Sequence, residues 1–388
     1  MRRRSPVGSR RAFALITGGG TAGHVQPALA IGEALVARGH QASSILYVGS
    51  RRGMEGRLVP EAGFEVSLLP GRGIQRRLTP ANIGAVGGLV AACVLGLATV
   101  LRTRPSVVVT VGGYAGLPCS LAAILLRVPL VVVSCDAVAG ASNRVVARFA
   151  RRCAVAFEGT RLPNQVVTGA PLRQAVLATA RSPQGREQAR QLLGLGPGRF
   201  LVAVEGGSLG ARRLNDAALG LAKSWASRGE VTIYHVSGER NLAEVRREAA
   251  GLGLGPQSSP EAGLDYRLVG YERQMPALLA ACDFAVCRAG ALTVAELAAI
   301  GTPSALVPLP GAPNDHQTRN AEALSGLGAA ILIPDADCSA ERLEEVVASL
   351  IEEPGRLESM SAAAAAAGHR DASEAVAVLV ESVSKEGT

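Results

Sequence analysis

The sequence has 388 residues, of which 48% are hydrophobic, and this size fits two α/β domains better than one ordinary core. Aromatic residues make up 3%, which argues against a stacking surface for single-stranded nucleic acid. The net charge of +8 is explained either by a solvated basic surface or by attraction to an anionic partner, a lipid or a phosphate.

Residues 1–11 include five arginines and have no apolar h-region directly behind them, so they do not form a secretory signal. We predict a disordered basic leader. Beyond it, apolar runs rich in β-branched residues alternate with helical patterns to the end of the chain. The runs are 12–17, 43–49, 64–69, 106–111, 129–134, 200–205, 231–237, 266–270, 284–288, 303–309 and 329–334.

Continuous apolar runs separated by helices are typical of parallel strands that are buried on both faces. The predicted fold class is therefore α/β, with two doubly wound parallel-sheet domains. Prolines and charged residues between 160 and 200 indicate the boundary. We predict domains at 12–170 and 171–370, with a C-terminal helix at 373–384 that packs back on the first domain.

Residues 83–101 carry no charge and are just long enough to span a bilayer. They are rich in Gly and Ala and lie between two runs of the same predicted sheet, which favours a membrane-touching helix over a span. Ile74, Leu78 and Ile83 lie beside basic side chains, as expected of a surface that meets an anionic leaflet. Those side chains are Arg72, Arg76 and Arg77.

Glycine-rich loops follow several of the predicted strands, where ligands bind in open α/β sheets. The first loop, 18–23, ends at His24 where a helix begins, and the positive end of a helix favours the neutral imidazole that a general base needs. His24 alternatively caps that helix. Further loops follow at 112–116 and 206–211. Each is a weak signal alone, since tight turns also use glycine.

The segment 287–296 predicts a strand, a glycine turn and the start of a helix. A diphosphate would fit the helix N-terminus, while Glu296 would accept hydrogen bonds from a ribose. Glu296 could equally compensate the helix dipole. Asp335 and Asp337 spell the D-x-D of metal-dependent sugar transferases, but we interpret them as a solvated turn. The seven cysteines contain no C-x-x-C pair, so reduced buried thiols are expected and no zinc site.

Taken together, four segments and their order resemble the MurG family over residues 12–384. They are GGGTAGHVQPALAIGEAL, VVVTVGGYAGLPCSLAA, GGSLGARRLND, and CRAGALTVAELAAIGTPSALVPLP with DHQTRNA after it. The resemblance implies the GT-B architecture, two Rossmann-like domains facing a central cleft. It also implies an inverting transferase that moves GlcNAc from UDP-GlcNAc to lipid I, forming lipid II, at the cytoplasmic face of the bacterial cell membrane as a peripheral protein.

The resemblance assigns His24 as the catalytic base, and Gly113 and Tyr114 to the acceptor side. It implies no obligatory cofactor or metal and, as partners, UDP-GlcNAc, the lipid-linked muramoyl-pentapeptide and an anionic membrane, without nucleic acid. The residues matched to UDP-GlcNAc are Thr21, Ala22, Gly23, Asp136, Arg173, Ser208, Glu272, Ala291, Leu292, Thr293, Val294, Ala295, Glu296 and Gln317.

The chain departs from the family pattern at 133–136, where Val-Ser-Cys-Asp replaces His-Glu-x-Asn. Asp136 thus takes the place of an Asn, and this leaves the acceptor open. A MurG-like transferase for another prenyl-phosphate-linked acceptor is the main alternative. A UDP-GlcNAc 2-epimerase with the same architecture and a non-enzymatic sugar-nucleotide sensor are further alternatives.

Overall fold

The structure is a computed structural model that describes residues 11–70, 81–207, 210–254 and 263–386. The predicted leader, apart from Arg11, lies outside these ranges, as do Ser208 and the 71–80 segment with its three arginines, Ile74 and Leu78. The side chains of Ala22 and Ile83 are likewise outside what is described. By its internal contacts the chain divides into unit 1, Met1–Gln174 with Asp371–Thr388, and unit 2, Ala175–Arg370.

In the described ranges, each unit contains one sheet whose strands all pair in parallel. In unit 1 the strands are β1 Ala14–Thr17, β2 Ile45–Ser50, β3 Glu65–Leu69, β4 Val107–Thr110, β5 Leu130–Ser134, β6 Arg152–Val155 and β7 Gln165–Val167. In unit 2 they are β8 Phe200–Glu205, β9 Val231–Val236, β10 Asp265–Val269, β11 Phe284–Arg288, β12 Ser304–Val307 and β13 Ala330–Leu332. All the predicted runs are confirmed as strands, while β6 and β7 were missed.

The helices alternate with the strands along the chain. They are α1 Ala22–Ala37, α2 Glu55–Glu61, α3 Ala81–Thr103, α4 Gly116–Leu125, α5 Ala141–Ala147, α6 Gln174–Leu177, α7 Pro183–Leu192, α8 Arg212–Ser224, α9 Leu242–Gly251, α10 Met275–Ala281, α11 Ala291–Ile300, α12 His316–Ser325, α13 Ala340–Glu352, α14 Pro354–Ala367 and α15 Ala372–Lys385. Short 3-10 turns occupy Ala42–Ser44, Glu158–Thr160, Pro313–Asp315 and Asp335–Asp337.

The strand orders are β3-β2-β1-β4-β5-β6-β7 and β10-β9-β8-β11-β12-β13. Both run outward in each direction from a central pair, β1–β4 in unit 1 and β8–β11 in unit 2. This is the doubly wound Rossmann arrangement, so the predicted α/β fold class is confirmed. Ligands in such sheets bind beyond the carboxyl ends of the strands, where the order reverses.

The last helix, α15, completes the core of unit 1. Its Val376, Val380 and Val383 are fully buried in the same apolar cluster as α1 and the sheet. Glu381 on its outer side accepts hydrogen bonds from Arg38 at 3.0 Å and lies 3.1 Å from the His40 ring nitrogen. The segment after Arg370 therefore belongs structurally with residues that precede unit 2.

The uncharged segment 83–101 forms most of α3, which packs along α4. Among the described residues, no helix combines the length and the apolar character that crossing a bilayer would require.

Candidate active-site residues

The first glycine loop connects β1 to α1 and uses its own amide groups internally. Gly18, Gly19 and Gly20 have φ of +150°, +144° and +103°, backbone conformations that residues other than glycine rarely adopt. Their N–H groups donate to Val48 O, Gly112 O and the Glu55 carboxylate, at 3.3, 3.3 and 2.8 Å. The loop is thus a folded turn, and these three amides are not available to a phosphate.

His24 lies in the first turn of α1, with its imidazole partly exposed. Its Nδ1 is 3.1 Å from the hydroxyl of Thr21, the residue immediately before the helix. If Nδ1 carries the proton and donates to Thr21, the lone pair on Nε2 can accept a proton. The local fold is therefore compatible with a general base at His24.

The second glycine loop follows β4, the neighbour of β1, and packs against the first. A Cβ added at Gly113, whose φ is +75°, would lie 2.4 Å from Gly19 O. Asn143 from α5 packs against Gly112 of this loop, where an added Cβ would lie 2.9 Å from its Oδ1. Its Nδ2 donates to Val133 O in β5 at 3.0 Å, and its buried Oδ1 has no hydrogen-bond partner. Tyr114 is half-buried and donates to Pro70 O at 3.3 Å.

Asp136 lies in the turn after β5, at the same sheet edge as the two glycine loops, and is half-buried. The adjacent Cys135 thiol is buried, and this burial together with the charge of Asp136 raises its pKa. Ser134 is buried at the strand end. Three consecutive strand ends of unit 1 thus bring together the regions of His24, Gly113, Tyr114 and Asp136.

Arg173 is held against α1 within unit 1. Its Nη2 lies 2.6 Å from Glu33, and its Nη1 donates to Gln26 at 3.2 Å. Its Nε is buried without a partner. One N–H of this guanidinium is therefore left for another acceptor.

In unit 2, the N-terminus of α11 has the backbone features that favour an anion. The first amides of a helix have no partner within it, and Gly290, where α11 begins, supplies no capping side chain. Ala291, Leu292 and Thr293 form this first turn, directly after β11 at the point where the strand order reverses. Backbone N–H groups and the helix dipole both favour a phosphate there.

Two carboxylates lie beneath this turn. Glu205, at the end of β8, is buried and accepts the Gly207 N–H at 2.7 Å. Glu296, one turn further along α11 than Thr293, has its pKa raised to about 8 by desolvation and by the charge of Glu205. Burial likewise raises the pKa of Glu205. At neutral pH much of Glu296 is therefore protonated.

Two side chains of α12 connect that helix to the neighbouring loops. Gln317 accepts the Leu309 N–H at 2.9 Å, which fixes the loop after β12. The fully buried Asn320 donates to Ala289 O at 3.1 Å and so ties α12 to the turn that precedes α11. The CRAGALTVAELAAIGTPSALVPLP and DHQTRNA segments, which both resemble the family, are thus in direct contact through Asn320 and Ala289.

Glu272 lies in the loop after β10, and its side chain folds back on its own sheet. One carboxylate oxygen accepts from the Tyr234 hydroxyl, and the other accepts the Gln274 N–H at 2.6 Å. The side chain is thus occupied, so that a ligand at this position would contact the backbone.

Our interpretation of Asp335 as part of a solvated turn is wrong. Its carboxylate binds Arg288 at 2.6 Å and Arg213 at 3.2 Å and is largely buried, because the 3-10 turn folds over the end of β11. Asp337 is exposed. Within the described ranges, no group of three or more His, Cys, Asp or Glu is arranged to hold a metal ion.

Sequence reasoning missed Glu55, Glu205 and Asn320. Only Glu205 carries a local signal, a charge at the end of an apolar strand immediately before two glycines. Glu55 and Asn320 are separated by many residues from the loops that they contact. In the sequence, Glu55 and Asn320 look like any other polar helix residue that faces solvent.

Comparisons with known proteins also divide the chain into an N-terminal and a C-terminal domain. Residues 14–155 match the glycosyltransferase family 28 N-terminal domain, and residues 201–376 match the C-terminal domain of the same family. The crystal structure of Acinetobacter baumannii MurG has a TM-score of 0.72 and 26% identity, and the match covers 96% of this chain and 99% of that one.

Two relatives share the name UDP-N-acetylglucosamine–N-acetylmuramyl-(pentapeptide) pyrophosphoryl-undecaprenol N-acetylglucosamine transferase. The protein from Desulforudis audaxviator is 37% identical, over 96% of this chain and 99% of its own length. The protein from Acidothermus cellulolyticus is 41% identical, over 95% and 96%.

Proposed function

The chain belongs to the MurG family of glycosyltransferases, and on that basis we propose that it transfers GlcNAc from UDP-GlcNAc to lipid I, forming lipid II. The observation that carries the proposal is the match to named relatives over nearly the full length of both proteins. The reaction makes one glycosidic bond and releases UDP.

Unit 2 is the proposed donor half. Glu272 follows β10 and Gln317 follows β12, and four strand spacings of about 4.8 Å separate those strands in the sheet, about 19 Å in total. A nucleotide sugar in an extended conformation would place uracil at the backbone of Glu272 and the GlcNAc hydroxyls at Gln317. The diphosphate then lies over the first turn of α11, with the ribose at Glu296.

His24 is the proposed base. Its Nε2 takes the proton of the acceptor hydroxyl while that oxygen attacks the anomeric carbon of GlcNAc. The bond from that carbon to the diphosphate oxygen breaks, UDP leaves with the electron pair, and the configuration inverts. The N-terminus of α11 stabilises the charge that develops on the leaving group. Arg173, which the family resemblance matches to UDP-GlcNAc, is a further proposed donor to the diphosphate.

Unit 1 is the proposed acceptor half, docked peripherally at the cytoplasmic face of the membrane. Apolar side chains that face water are concentrated on three helices packed in series, α3, α4 and α5. They include Val90, Val94, Leu125 and Val145, of which Leu125 exposes 70% of its surface. Arg102, Arg127, Arg144 and Arg148 are exposed on or next to the same helices. Exposed apolar groups together with arginines on or next to the same helices suit an anionic leaflet.

Turnover of UDP-GlcNAc with and without a lipid I analogue tests the function. We expect UDP release and a new disaccharide only when the acceptor is present. Release of UDP without acceptor, together with free N-acetylmannosamine, would instead identify an epimerase. Turnover on another prenyl-phosphate-linked sugar, with none on lipid I, would contradict the proposed acceptor.

Co-sedimentation with vesicles tests the membrane surface. Binding should rise with the fraction of anionic lipid and fall with salt. Leu125→Glu and the joint change of Arg72, Arg76 and Arg77 to Gln should each weaken it. Leu327→Glu, at an apolar residue of unit 2 that is 60% exposed, is the matched control. Equal binding of neutral and anionic vesicles by the wild type, or undiminished binding in Leu125→Glu and in the triple Arg→Gln variant, would contradict the proposed surface.

A further inference from the structure

Glu55 is a buried carboxylate beneath the first glycine loop and exposes only 3% of its surface. Its Oε1 accepts two backbone N–H groups, from Gly20 at 2.8 Å and from Ser50 at 3.2 Å. Gly20 belongs to the loop after β1, and Ser50 is the last residue of β2. One oxygen therefore joins α2, the end of β2 and the loop that leads to His24.

Glycines from three separate segments leave the space that this side chain fills. A Cβ added at Gly19, Gly49 or Gly53 would lie 1.6, 2.6 or 1.8 Å from the nearest atom of Glu55. The second oxygen, Oε2, is buried and has no hydrogen-bond partner. Burying an unpartnered carboxylate oxygen is costly, so such a group calls for an explanation beyond packing.

The hydrogen bond from Gly20 to Glu55 also limits which ligands the first glycine loop can bind. With the amides of Gly18, Gly19 and Gly20 occupied and a carboxylate beneath them, this part of the loop cannot cradle a diphosphate as a phosphate-binding loop does. It leads instead into Thr21 and His24, which form the start of α1.

We propose that Glu55 is a positioning residue for the transfer: by holding the Gly20 amide it fixes the loop and, through it, the Thr21–His24 pair. This inference rests on the proposed function, in which His24 is the base. Glu55 does not touch the substrate. Its loss should therefore lower kcat much more than it changes the donor KM, because most of the residues matched to UDP-GlcNAc lie in unit 2.

Three substitutions separate positioning from simple packing. Glu55→Ala and Glu55→Asp leave the Gly20 amide without its acceptor and should each lower kcat about 10- to 100-fold. Glu55→Gln retains an oxygen at the same reach but loses the charge, so kcat should recover to within about fivefold of the wild type. The donor KM should stay within about threefold in all three, because losing an interaction that acts only in the transition state lowers kcat and kcat/KM equally.

Gly53→Ala provides an independent route, because its new methyl group displaces the Glu55 carboxylate while leaving the loop sequence intact. It should lower kcat as Glu55→Asp does. Gly159→Ala, where a Cβ meets nothing within 4 Å, and Glu61→Ala, on the exposed side of α2, are the matched controls. Thermal melting of each variant establishes that it is folded.

Hydrogen–deuterium exchange supplies a readout that does not need turnover. A peptide covering residues 14–28 should exchange faster in Glu55→Ala and Gly53→Ala than in the wild type, and at the wild-type rate in Glu55→Gln. A folded Glu55→Ala variant with kcat within twofold of the wild type would overturn the proposal, as would unchanged exchange. If the wild type itself transfers no GlcNAc, the proposed function fails, and the exchange comparison alone decides whether Glu55 anchors the loop.

Discussion

At the residue scale, the contact between His24 and Thr21 gives the most direct test of the mechanism. His24→Ala should lower kcat by about 10² to 10⁴, the usual range for a lost general base. Thr21→Val removes the group that accepts the Nδ1 proton and should cost roughly tenfold in kcat, whereas Thr21→Ser keeps it and should stay near the wild type. Steady-state kinetics with saturating donor measure both.

Near-normal kcat in His24→Ala would return His24 to the role of a helix-capping residue. Equal losses in Thr21→Val and Thr21→Ser would show that the methyl group, and not the hydroxyl, matters.

Glu296 predicts how donor binding depends on pH. A ribose diol donates hydrogen bonds best to an ionised carboxylate, and the pKa of Glu296 is raised to about 8. Below that value the neutral acid predominates, and above it the carboxylate does. The donor KM should therefore fall as pH rises from about 7 to 9.

Glu205→Gln removes the charge that contributes to this shift, so the midpoint of the KM profile should move to lower pH. Glu345→Gln, an exposed carboxylate on α13, is the control. A donor KM that is constant across the range in the wild type would remove Glu296 from the ribose role.

At the scale of elements, the sequence predicted the strands with strong apolar runs and missed the two without them. β6 begins with Arg152, and β7 has only three residues, one of them Gln165. Both extend the sheet at its edge, β6 along β5 and β7 along β6. An apolar run in the sequence indicates a central strand that is buried on both faces. It does not indicate a short strand that pairs at the edge of the sheet.

The same limit applies to the candidate site. The glycine loops and the α11 turn are contiguous in sequence and were found. Glu55 and Asn320 act on loops that folding alone brings to them, and Asp335 became a buried ion-pair partner because a late turn closes over β11. Pairings between distant segments leave no local signal in a single sequence.

A buried polar network spanning α8, β9 and β10 makes the stability of unit 2 depend on pH. The fully buried His235 lies 2.9 Å from Asn215 and 2.7 Å from Tyr266, and burial lowers its pKa to about 4. In the unfolded chain the pKa is about 6.5. The unfolded state thus binds more protons between these values, so stability is complete above about pH 6.5 and is lost as pH falls toward 4, by about 3 kcal/mol.

Trp225, the only tryptophan, is buried in unit 2 and reports its unfolding by fluorescence. Urea titrations at several pH values measure how the free energy of unfolding changes with pH. The His235→Asn variant should show a smaller change. A wild-type stability that does not change between pH 7 and 4.5 would contradict the assignment.

At the scale of the whole molecule, unit 1 is built from two separate stretches of chain and unit 2 from one. Ending the chain after Arg370 removes Val376, Val380 and Val383 from the core of unit 1. Burial of a valine contributes about 1.5–3 kcal/mol, so three contribute about 5–9 kcal/mol, which is comparable to the stability of a whole domain.

The shortened chain should therefore lose the fold of unit 1 and all turnover. The Trp225 transition should persist, and UDP should still raise its midpoint, because residues 175–370 are intact. Retention of kcat by the shortened chain would show that α15 is dispensable. Loss of the Trp225 transition would show that unit 2 does not stand alone.

The discontinuity of unit 1 also sets an order of events during translation. The ribosome makes residues 175–370 before α15, so a nascent chain can complete the second Rossmann-like unit while the first still lacks its final helix. Until then, the apolar surface of α1 that α15 covers is open to water and to chaperones. The half of the protein that is synthesised first is thus the half that reaches its native state last.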